Sequence, residues 1–417
     1  MTETIIPPSP PRELATQRPS RLGPVVARTL LRKLRGGTLI VSDPRGERRY
    51  GAGRPEVRLS VFNDRAYGAT LARGSRGFGQ SYVAGWWECD DLTGLVRILL
   101  RSLAPLGARL DRAARFVAPL RDAIGARRYR ERPGDDVRAR ERDRAQVRAH
   151  YDLSNDFFEL MLDETMMYSC ALFAEPTTDL ADASRAKLDA IGRSINLSAD
   201  DHVVEIGTGW GGFAIYAARE FGCRVTTTTI STAQYEYARR RVREAGLEHL
   251  VDVRNEDYRD LRGAFDKLVS IEMVEAIGWR ELDNFFRTCA GLIPPSGLMA
   301  LQAIVINDGS YERAKYHEDF IKDQIFPGGF LPSVQALTGA ARRSGELTAV
   351  SLVNVGAHYG ETLRRWRDNV RKNRDGVSAL GLGEGFLRLW NLYLSYCEGA
   401  FEERHISVVQ MVFARER

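Results

Sequence analysis

Apolar and polar positions follow a regular alternation from residue 150 to the C-terminus. Short apolar runs, several of them β-branched, predict buried strands, and the amphipathic segments between them predict helices. The predicted strands are 203–206, 223–230, 251–253, 265–271, 298–306, 350–355 and 407–413. The predicted helices are 212–218, 234–245, 282–292 and further helices over 361–404. This succession predicts an α/β fold with a doubly wound, mostly parallel sheet whose ligand lies outside the carboxyl ends of the strands.

The pattern before residue 121 differs from this alternation. Residues 37–42 and 57–62 alternate as strands do, and residues 91–103 have the pattern of a helix. The sequence therefore predicts a smaller N-terminal α+β domain. The predicted division is a Pro-rich disordered tail over 1–20, the N-terminal domain over 21–120, an arginine-rich linker over 121–148, and a larger domain over 149–417 with an insertion around 311–345.

A glycine-rich turn follows the first strand of the larger domain. Gly207, Gly209 and Gly211 allow the backbone to turn sharply and to approach a ligand, and the next helix presents free N–H groups to that ligand. Glu205 precedes the first glycine by two residues, a pattern typical of class I S-adenosylmethionine (SAM) methyltransferases. A NAD-binding oxidoreductase is the alternative, but it normally places an acid at the end of the next strand, which here ends in Thr226–Thr229.

Composition excludes several other classes. A chain of 417 residues exceeds one ordinary core, and its formal charge of +5 is too small to indicate a nucleic-acid partner. No run of 18 apolar residues exists, so no membrane span is predicted. The five cysteines lack C-x-x-C spacing, so neither a metal site nor a disulfide framework is predicted. A cytoplasmic location is expected.

Seven segments together resemble the cyclopropane-fatty-acyl-phospholipid synthase family of SAM-dependent methyltransferases, which includes the mycolic acid cyclopropane synthases. In family order they are His150–Asp156, Met167–Ala171, Glu205–Gly212, Thr229–Gln234, Asp257–Asp260, Phe326–Pro332 and Gly356–Tyr359. They extend from about residue 145 to the C-terminus. The N-terminal part resembles the lipid-associated domain of the bacterial phospholipid enzymes more weakly. The resemblance implies a class I SAM-methyltransferase (Rossmann-like) fold.

The resemblance implies a SAM site on the matching residues. The methionine, backbone and ribose contacts fall on Tyr168, Ser169, Gly207, Gly209, Thr229 and Gln234, with Gly211 completing the glycine loop. Asp257 and Tyr258 are implied beside the adenine. Without the family match, Tyr168 and Ser169 would be an ordinary loop and Gln234 a glutamine on a helix surface.

The resemblance also implies how a proton is removed. Family enzymes methylate a cis double bond through a carbocation and hold a bicarbonate ion near it as base. The bicarbonate cage maps to Cys170, Glu275, Ile304 and Tyr359. The usual histidine of this cage is replaced by Gln302, and the usual Phe-Glu-His reads Val274–Ala276. Glutamine donates a hydrogen bond but cannot relay a proton near neutral pH.

The implied function is modification of an unsaturated acyl chain in a phospholipid. The segment Leu301–Ile304 resembles the actinobacterial branch that makes 10-methylene fatty acids, the precursors of tuberculostearic acid, so a methylene branch is the expected product and a cyclopropane ring the alternative. The expected partners are the inner face of the membrane, contacted by some basic residues of 121–148, a separate reductase and a second copy of the chain. A non-catalytic lipid-binding protein is a further alternative, which the retained Cys170, Glu275 and Tyr359 disfavour.

Overall fold

The computed structural model describes residues 23–103, 105, 108, 154–344 and 346–416. The predicted tail over 1–20, the predicted linker over 121–148 and residues 150–153 of the first family segment lie outside the described residues. The chain divides into two compact units. The described residues of unit 1 lie within Met1–Ala113, Tyr316–Pro327 and Leu363–His405. Those of unit 2 lie within Ala114–Lys315, Gly328–Thr362 and Ile406–Arg417.

The described residues form eleven strands and fifteen helices, numbered here in chain order. The strands are β1 Gly37–Asp43, β2 Gly46–Ala52, β3 Glu56–Val61, β4 Trp87–Cys89, β5 His202–Ile206, β6 Arg224–Thr229, β7 Val251–Asn255, β8 Lys267–Ile271, β9 Leu298–Ile306, β10 Leu347–Asn354 and β11 Ile406–Arg415. The helices are α1 Gly23–Leu31, α2 Arg65–Arg73, α3 Ser75–Val83, α4 over 92–103, α5 Asn155–Met161, α6 Leu180–Ser194, α7 Gly212–Glu220, α8 Thr232–Glu244, α9 Leu282–Leu292, α10 Asp308–Ala314, α11 Phe320–Gln324, α12 Val334–Arg343, α13 Tyr359–Lys372, α14 Arg374–Ala379 and α15 Glu384–Glu402. Two short 3-10 turns lie at Val274–Ala276 and Gly356–His358.

Unit 1 contains a four-stranded sheet in the order β2-β1-β3-β4. Strand β1 runs antiparallel to β2 and parallel to β3. The sequence predicts β1 and β3 but not β2, because β2 buries only Tyr50 and exposes the rest of a polar, arginine-rich segment. Polar strands of this kind are found at sheet edges, where they carry no hydrophobic alternation.

Unit 1 also includes helices that the sequence assigns to the C-terminal domain. The segment 363–405 packs with α4, since Glu403 accepts hydrogen bonds from Arg97 (2.8 Å) and Arg101 (2.7 Å). Glu398, which is 2% exposed, accepts a hydrogen bond from Thr93 (2.8 Å). The division therefore differs from the predicted boundary near 149, because pairings across some three hundred residues leave no trace in local periodicity.

Unit 2 is built on a seven-stranded sheet in the order β10-β11-β9-β8-β5-β6-β7. The five strands β5 to β9 are mutually parallel, and β11 pairs antiparallel with both β9 and β10. Apolar clusters cover both faces, one including Phe285, Phe286 and Phe413 and the other including Phe213 and Val225. This architecture confirms the predicted α/β fold with a mostly parallel sheet.

Side-chain caps define where several helices of unit 2 begin. Ser154, Ser231 and Ser333 stand at the N-caps of α5, α8 and α12, and each accepts a hydrogen bond from a backbone N–H of the first turn. Strand β5 lies between β6 and β8. From β5 the chain continues outward through β6 and β7 on one side and then through β8 and β9 on the other side. Open α/β sheets bind their ligands at such a switch point, beyond the carboxyl ends of the strands.

Within the described ranges, no helix combines the length and the apolar composition that a membrane span requires.

Candidate active site

A cleft opens in unit 2 at the carboxyl ends of β5, β6 and β8. Most residues of the predicted SAM site line it: Tyr168, Ser169, Gly207, Gly209, Thr229, Gln234, Asp257 and Tyr258. The cleft is also lined by Glu205, Glu272 and Ala276. The sheet topology therefore brings together residues that are spread over more than a hundred positions of the sequence.

The glycine loop forms the floor of this cleft. Gly207, Gly209 and Gly211 have φ values of +102°, +51° and +84°, which side chains other than glycine rarely adopt. A Cβ at Gly209 would meet no atom within 4 Å, so the loop leaves room for a ligand against its backbone. Gly211 does not line the cleft. It is the N-cap of α7, and a Cβ there would lie 3.3 Å from Ala238, so its need for glycine is structural.

Polar side chains on β6 and α8 face the same cleft. The Thr229 hydroxyl donates a hydrogen bond to Gln234 Oε1 (3.0 Å), which fixes the amide of a side chain that is only 5% exposed. Deeper in the sheet, the Thr227 hydroxyl donates to Glu205 Oε2 (2.6 Å), and burial raises the pKa of Glu205 to about 8. The buried threonines of β6 are tolerated because their hydroxyls have hydrogen-bond partners.

The far side of the cleft carries Asp257 and Tyr258. Asp257 is paired with Arg259 at 2.7 Å, and the Tyr258 ring packs edge-on against Phe285. The Tyr258 hydroxyl is buried and has no hydrogen-bond partner among the described residues. An unpaired buried hydroxyl and an open glycine loop in one cleft fit a ligand that brings its own polar atoms. The residues present therefore fit SAM.

A buried lysine, which the sequence analysis missed, lies behind Ser169. Lys187 on α6 is 0% exposed, and its Nζ donates a hydrogen bond to Ser169 Oγ (2.7 Å). Burial lowers the pKa of Lys187 to about 8, while Glu272 and other acids oppose the shift. A signal was present in the sequence, since Lys187 falls on the apolar face of α6, four residues before Ile191.

The predicted catalytic residues converge on another residue that the sequence analysis missed, Glu272. Its Oε1 accepts hydrogen bonds from the Cys170 backbone N–H (2.9 Å) and from Gln302 Nε2 (2.8 Å). Its Oε2 accepts a hydrogen bond from the Tyr359 hydroxyl (2.8 Å). Gln410 orients the Gln302 amide, because its Nε2 donates a hydrogen bond to Gln302 Oε1 (2.9 Å). The available signal was the position of an acid directly after β8, at the ligand-binding edge of the sheet.

Glu275 forms the second half of this cluster. Its Oε1 accepts a hydrogen bond from the Ile304 backbone N–H (2.5 Å), and its buried Oε2 has no partner among the described residues. Burial and the neighbouring Glu272 carboxyl raise the pKa of Glu275 to about 8. Cys170 contributes its backbone rather than its thiol, because burial holds the thiol pKa well above its usual range and keeps it protonated.

The residues of the predicted bicarbonate cage are therefore already hydrogen-bonded to other side chains of the protein. The donors that would hold the ion, on Cys170, Gln302, Tyr359 and Ile304, bind the carboxylates of Glu272 and Glu275 instead. An added anion would have to displace one of these two carboxyl groups to reach the donors. The residues present do not fit bicarbonate.

Comparison with known proteins shows similarity along most of the chain. Residues 138–411 match the family described as mycolic acid cyclopropane synthetase. The chain is 38% identical over 347 residues to the tuberculostearic acid methyltransferase of Mycobacterium tuberculosis, which covers 82% of this chain and 79% of that protein. It is 34% identical over 357 residues to the cyclopropane-fatty-acyl-phospholipid synthase of Escherichia coli K12, with coverages of 86% and 87%.

Solved structures give the same result. The crystal structure of a mycolic acid cyclopropane synthase complexed with SAH and CTAB superposes with a TM-score of 0.61 and 30% identity, over 65% of this chain and 98% of that one. This similarity confirms the predicted class I SAM-methyltransferase fold.

We expect Gly209→Val to lower the affinity for SAM at least tenfold, since a branched side chain would fill the free space beside the loop. Calorimetric titration with SAM measures this directly. Gly246→Val is the matched control, because Gly246 also has a positive φ (+69°) and open space around its Cβ but does not line the cleft. Equal SAM affinities in the two folded variants would contradict the assignment of the cleft.

Proposed function

Because the chain belongs to the mycolic acid cyclopropane synthetase family, we propose that it methylates the cis double bond of an unsaturated acyl chain in a phospholipid and leaves a 10-methylene branch. Family membership makes the chain a SAM-dependent methyltransferase, as the sequence predicts, and removes the NAD-binding oxidoreductase as an alternative. The observation that carries the proposal is that the SAM cleft and the catalytic cluster meet at one residue, Glu272, which lines the first and accepts the hydrogen bonds of the second.

Methylation of an alkene makes particular demands on the protein. When bound, SAM supplies a methyl group on a cationic sulfonium, which a weak nucleophile such as an alkene requires. The glycine loop, Ser169 and Gln234 would hold the donor in place, and close positioning lowers the barrier of such a step. The carbocation left on the acyl chain must be kept from water. The cluster around Glu272 is shielded from solvent, since Cys170, Gln302 and Tyr359 are only 0%, 1% and 5% exposed.

The identity of the product rests on how the cation loses its proton. Loss from the new methyl group at once closes a cyclopropane ring, whereas a hydride shift before that loss gives an exocyclic methylene. Gln302 has no proton affinity comparable to that of histidine, and Ala276 brings no second imidazole to the cleft. Both features favour a slower or displaced deprotonation and therefore the methylene branch. The 38% identity to a tuberculostearic acid methyltransferase supports this product.

A cyclopropane fatty acid is the second candidate product. It is supported by the 34% identity to the cyclopropane-fatty-acyl-phospholipid synthase of Escherichia coli. A methylene branch still contains a double bond, so our proposal includes a separate reductase if the final chain is methyl-branched. A homodimer stays a prediction.

A membrane surface is the proposed partner of unit 1. Helix α1 exposes Val25, Val26 and Leu30, and Arg32 and Lys33 directly after it are exposed as well. Exposed apolar and basic side chains on one short segment suit the boundary of an anionic bilayer, where each basic residue contributes about 1 kcal/mol. The basic residues of 121–148, which lie outside the described residues, would add to this attraction.

Expression in a bacterial host whose phospholipids contain oleate tests the product. We expect gas chromatography–mass spectrometry of the fatty acid methyl esters to show a methylene-branched species that is strongly reduced with Gly209→Val. Mainly cyclopropane fatty acid would contradict the product and leave the methyltransferase proposal standing. No methylated lipid from a folded, SAM-binding protein would contradict the proposed function.

We expect the protein to sediment with anionic liposomes, less so at high salt, because screening weakens surface charge attraction. Val25→Asp combined with Leu30→Asp should reduce sedimentation severalfold. The matched control is Val350→Asp combined with Val353→Asp, which alters two exposed apolar residues of β10 in unit 2. Equal loss in both variants, or binding that salt does not affect, would contradict the role of α1.

A further inference from the structure

We infer that the carboxylate of Glu272 takes the place of bicarbonate and is the general base of this enzyme. The inference rests on the proposed function, because it assigns the group that removes the proton from the methylated acyl chain. It differs from what the family resemblance implies, since a side chain of the protein replaces an exchangeable ion.

The contacts of Glu272 carry the inference. A bicarbonate ion needs convergent hydrogen-bond donors, and three of the predicted ones converge on this carboxylate: the backbone N–H of Cys170, Nε2 of Gln302 and the hydroxyl of Tyr359, at 2.9, 2.8 and 2.8 Å. A fourth, the Ile304 N–H, binds Glu275. A carboxylate has the same planar pair of oxygens as bicarbonate, so the side chain satisfies the cage without an added anion.

The backbone of Glu272 supports a functional role. Its φ is +48°, a left-handed conformation that costs a non-glycine residue on the order of 1 kcal/mol. This conformation occurs directly after β8, where Glu272 is half-buried and lines the SAM cleft together with Met273 and Ala276. The strained turn thus gives Glu272 a position at the cleft while its carboxylate contacts the three donors. A base at the edge of the cofactor cleft suits removal of a proton from the methyl group that is transferred.

The charges around Glu272 suit a proton acceptor. Burial raises the pKa of Glu272, while its three donors and Lys187 oppose that shift and favour the ionised form. Glu275 faces it from the following turn with a pKa of about 8 and an unpaired Oε2, so Glu275 holds a proton near neutral pH. Cys170, also with a raised pKa, stays neutral. The three donors thus favour the ionised form of Glu272, whereas burial and the neighbouring Glu272 favour the neutral form of Glu275, so the two acids have unequal roles.

The proton transfer balances without a further reactant. After methyl transfer, the positive charge lies on the neighbouring carbon of the former double bond. The hydrogen on the methylated carbon then moves with its electron pair to that neighbour, which places the charge on the methylated carbon. A C–H bond of the new methyl group breaks, its electron pair forms the carbon–carbon double bond of the methylene branch, and the proton goes to a carboxylate oxygen of Glu272. The neutral acid then releases this proton to solvent, which regenerates the carboxylate for the next turnover.

Two variants distinguish the loss of the base from a loss of the fold. Glu272→Gly suits the positive φ and opens the cage, and Glu272→Gln keeps the shape without the charge. In buffer freed of carbon dioxide we expect wild-type protein to keep its full rate, and both variants to fall at least 100-fold in kcat with SAM affinity within twofold of wild type. Added bicarbonate should restore Glu272→Gly and leave wild type unchanged. Titration of bicarbonate followed by calorimetry should show binding to Glu272→Gly alone.

Asn196→Gly is the matched control, because Asn196 also has a positive φ (+52°) and lies outside the site. It should keep wild-type activity. A wild-type enzyme that requires bicarbonate, or a Glu272→Gln variant that turns over at the wild-type rate, would overturn the inference. Either result would leave the proposed function standing, whereas absence of methylated lipid from wild type under every condition would overturn the function itself.

Discussion

A carboxylate held inside a protein beside a cationic methyl donor needs hydrogen-bond partners, because an unpaired charge there would cost several kcal/mol. This requirement organises unit 2 around Glu272. The hydrogen-bond donors to Glu272 come from the loop before α6, from β9 and from the first residue of α13. Only the folded sheet brings these three places together. Gln410 on β11 in turn orients Gln302, so even the antiparallel end of the sheet supports the site. The strands position the base as much as they form the core.

The same cluster explains how one site can bind the methyl donor and also hold the base that removes the proton. Lys187 donates a hydrogen bond to Ser169 beside the cleft, and Glu275 neighbours Glu272 in the turn after β8. Three acids and one lysine with shifted pKa values share this region, a combination that supports the proposed catalytic site.

Local signals in the sequence predict much of this arrangement. The β-branched strands, the glycine turn with Glu205 and the absence of an acid after β6 are each short-range patterns, and they predict the parallel sheet and the cofactor class correctly. The family resemblance draws attention to Cys170, Gln302 and Tyr359, which the structure places in one cluster. Glu272 and Lys187 were missed because their importance depends on burial and on partners far along the chain. The grouping of 363–405 with unit 1 was missed for the same reason.

The central claim is that this site transfers a methyl group from SAM to an acyl chain and then removes a proton from that same methyl group. Incubation of the purified protein with an unsaturated phospholipid and SAM bearing a trideuterated methyl group tests it most directly. The account predicts a lipid product that has gained one carbon and retains two of the three deuterons, located by nuclear magnetic resonance in an exocyclic methylene. Retention of all three deuterons would show that the proton leaves from elsewhere on the chain, and a lipid without deuterium would show that the methyl group is not transferred to it. Either result would contradict the account.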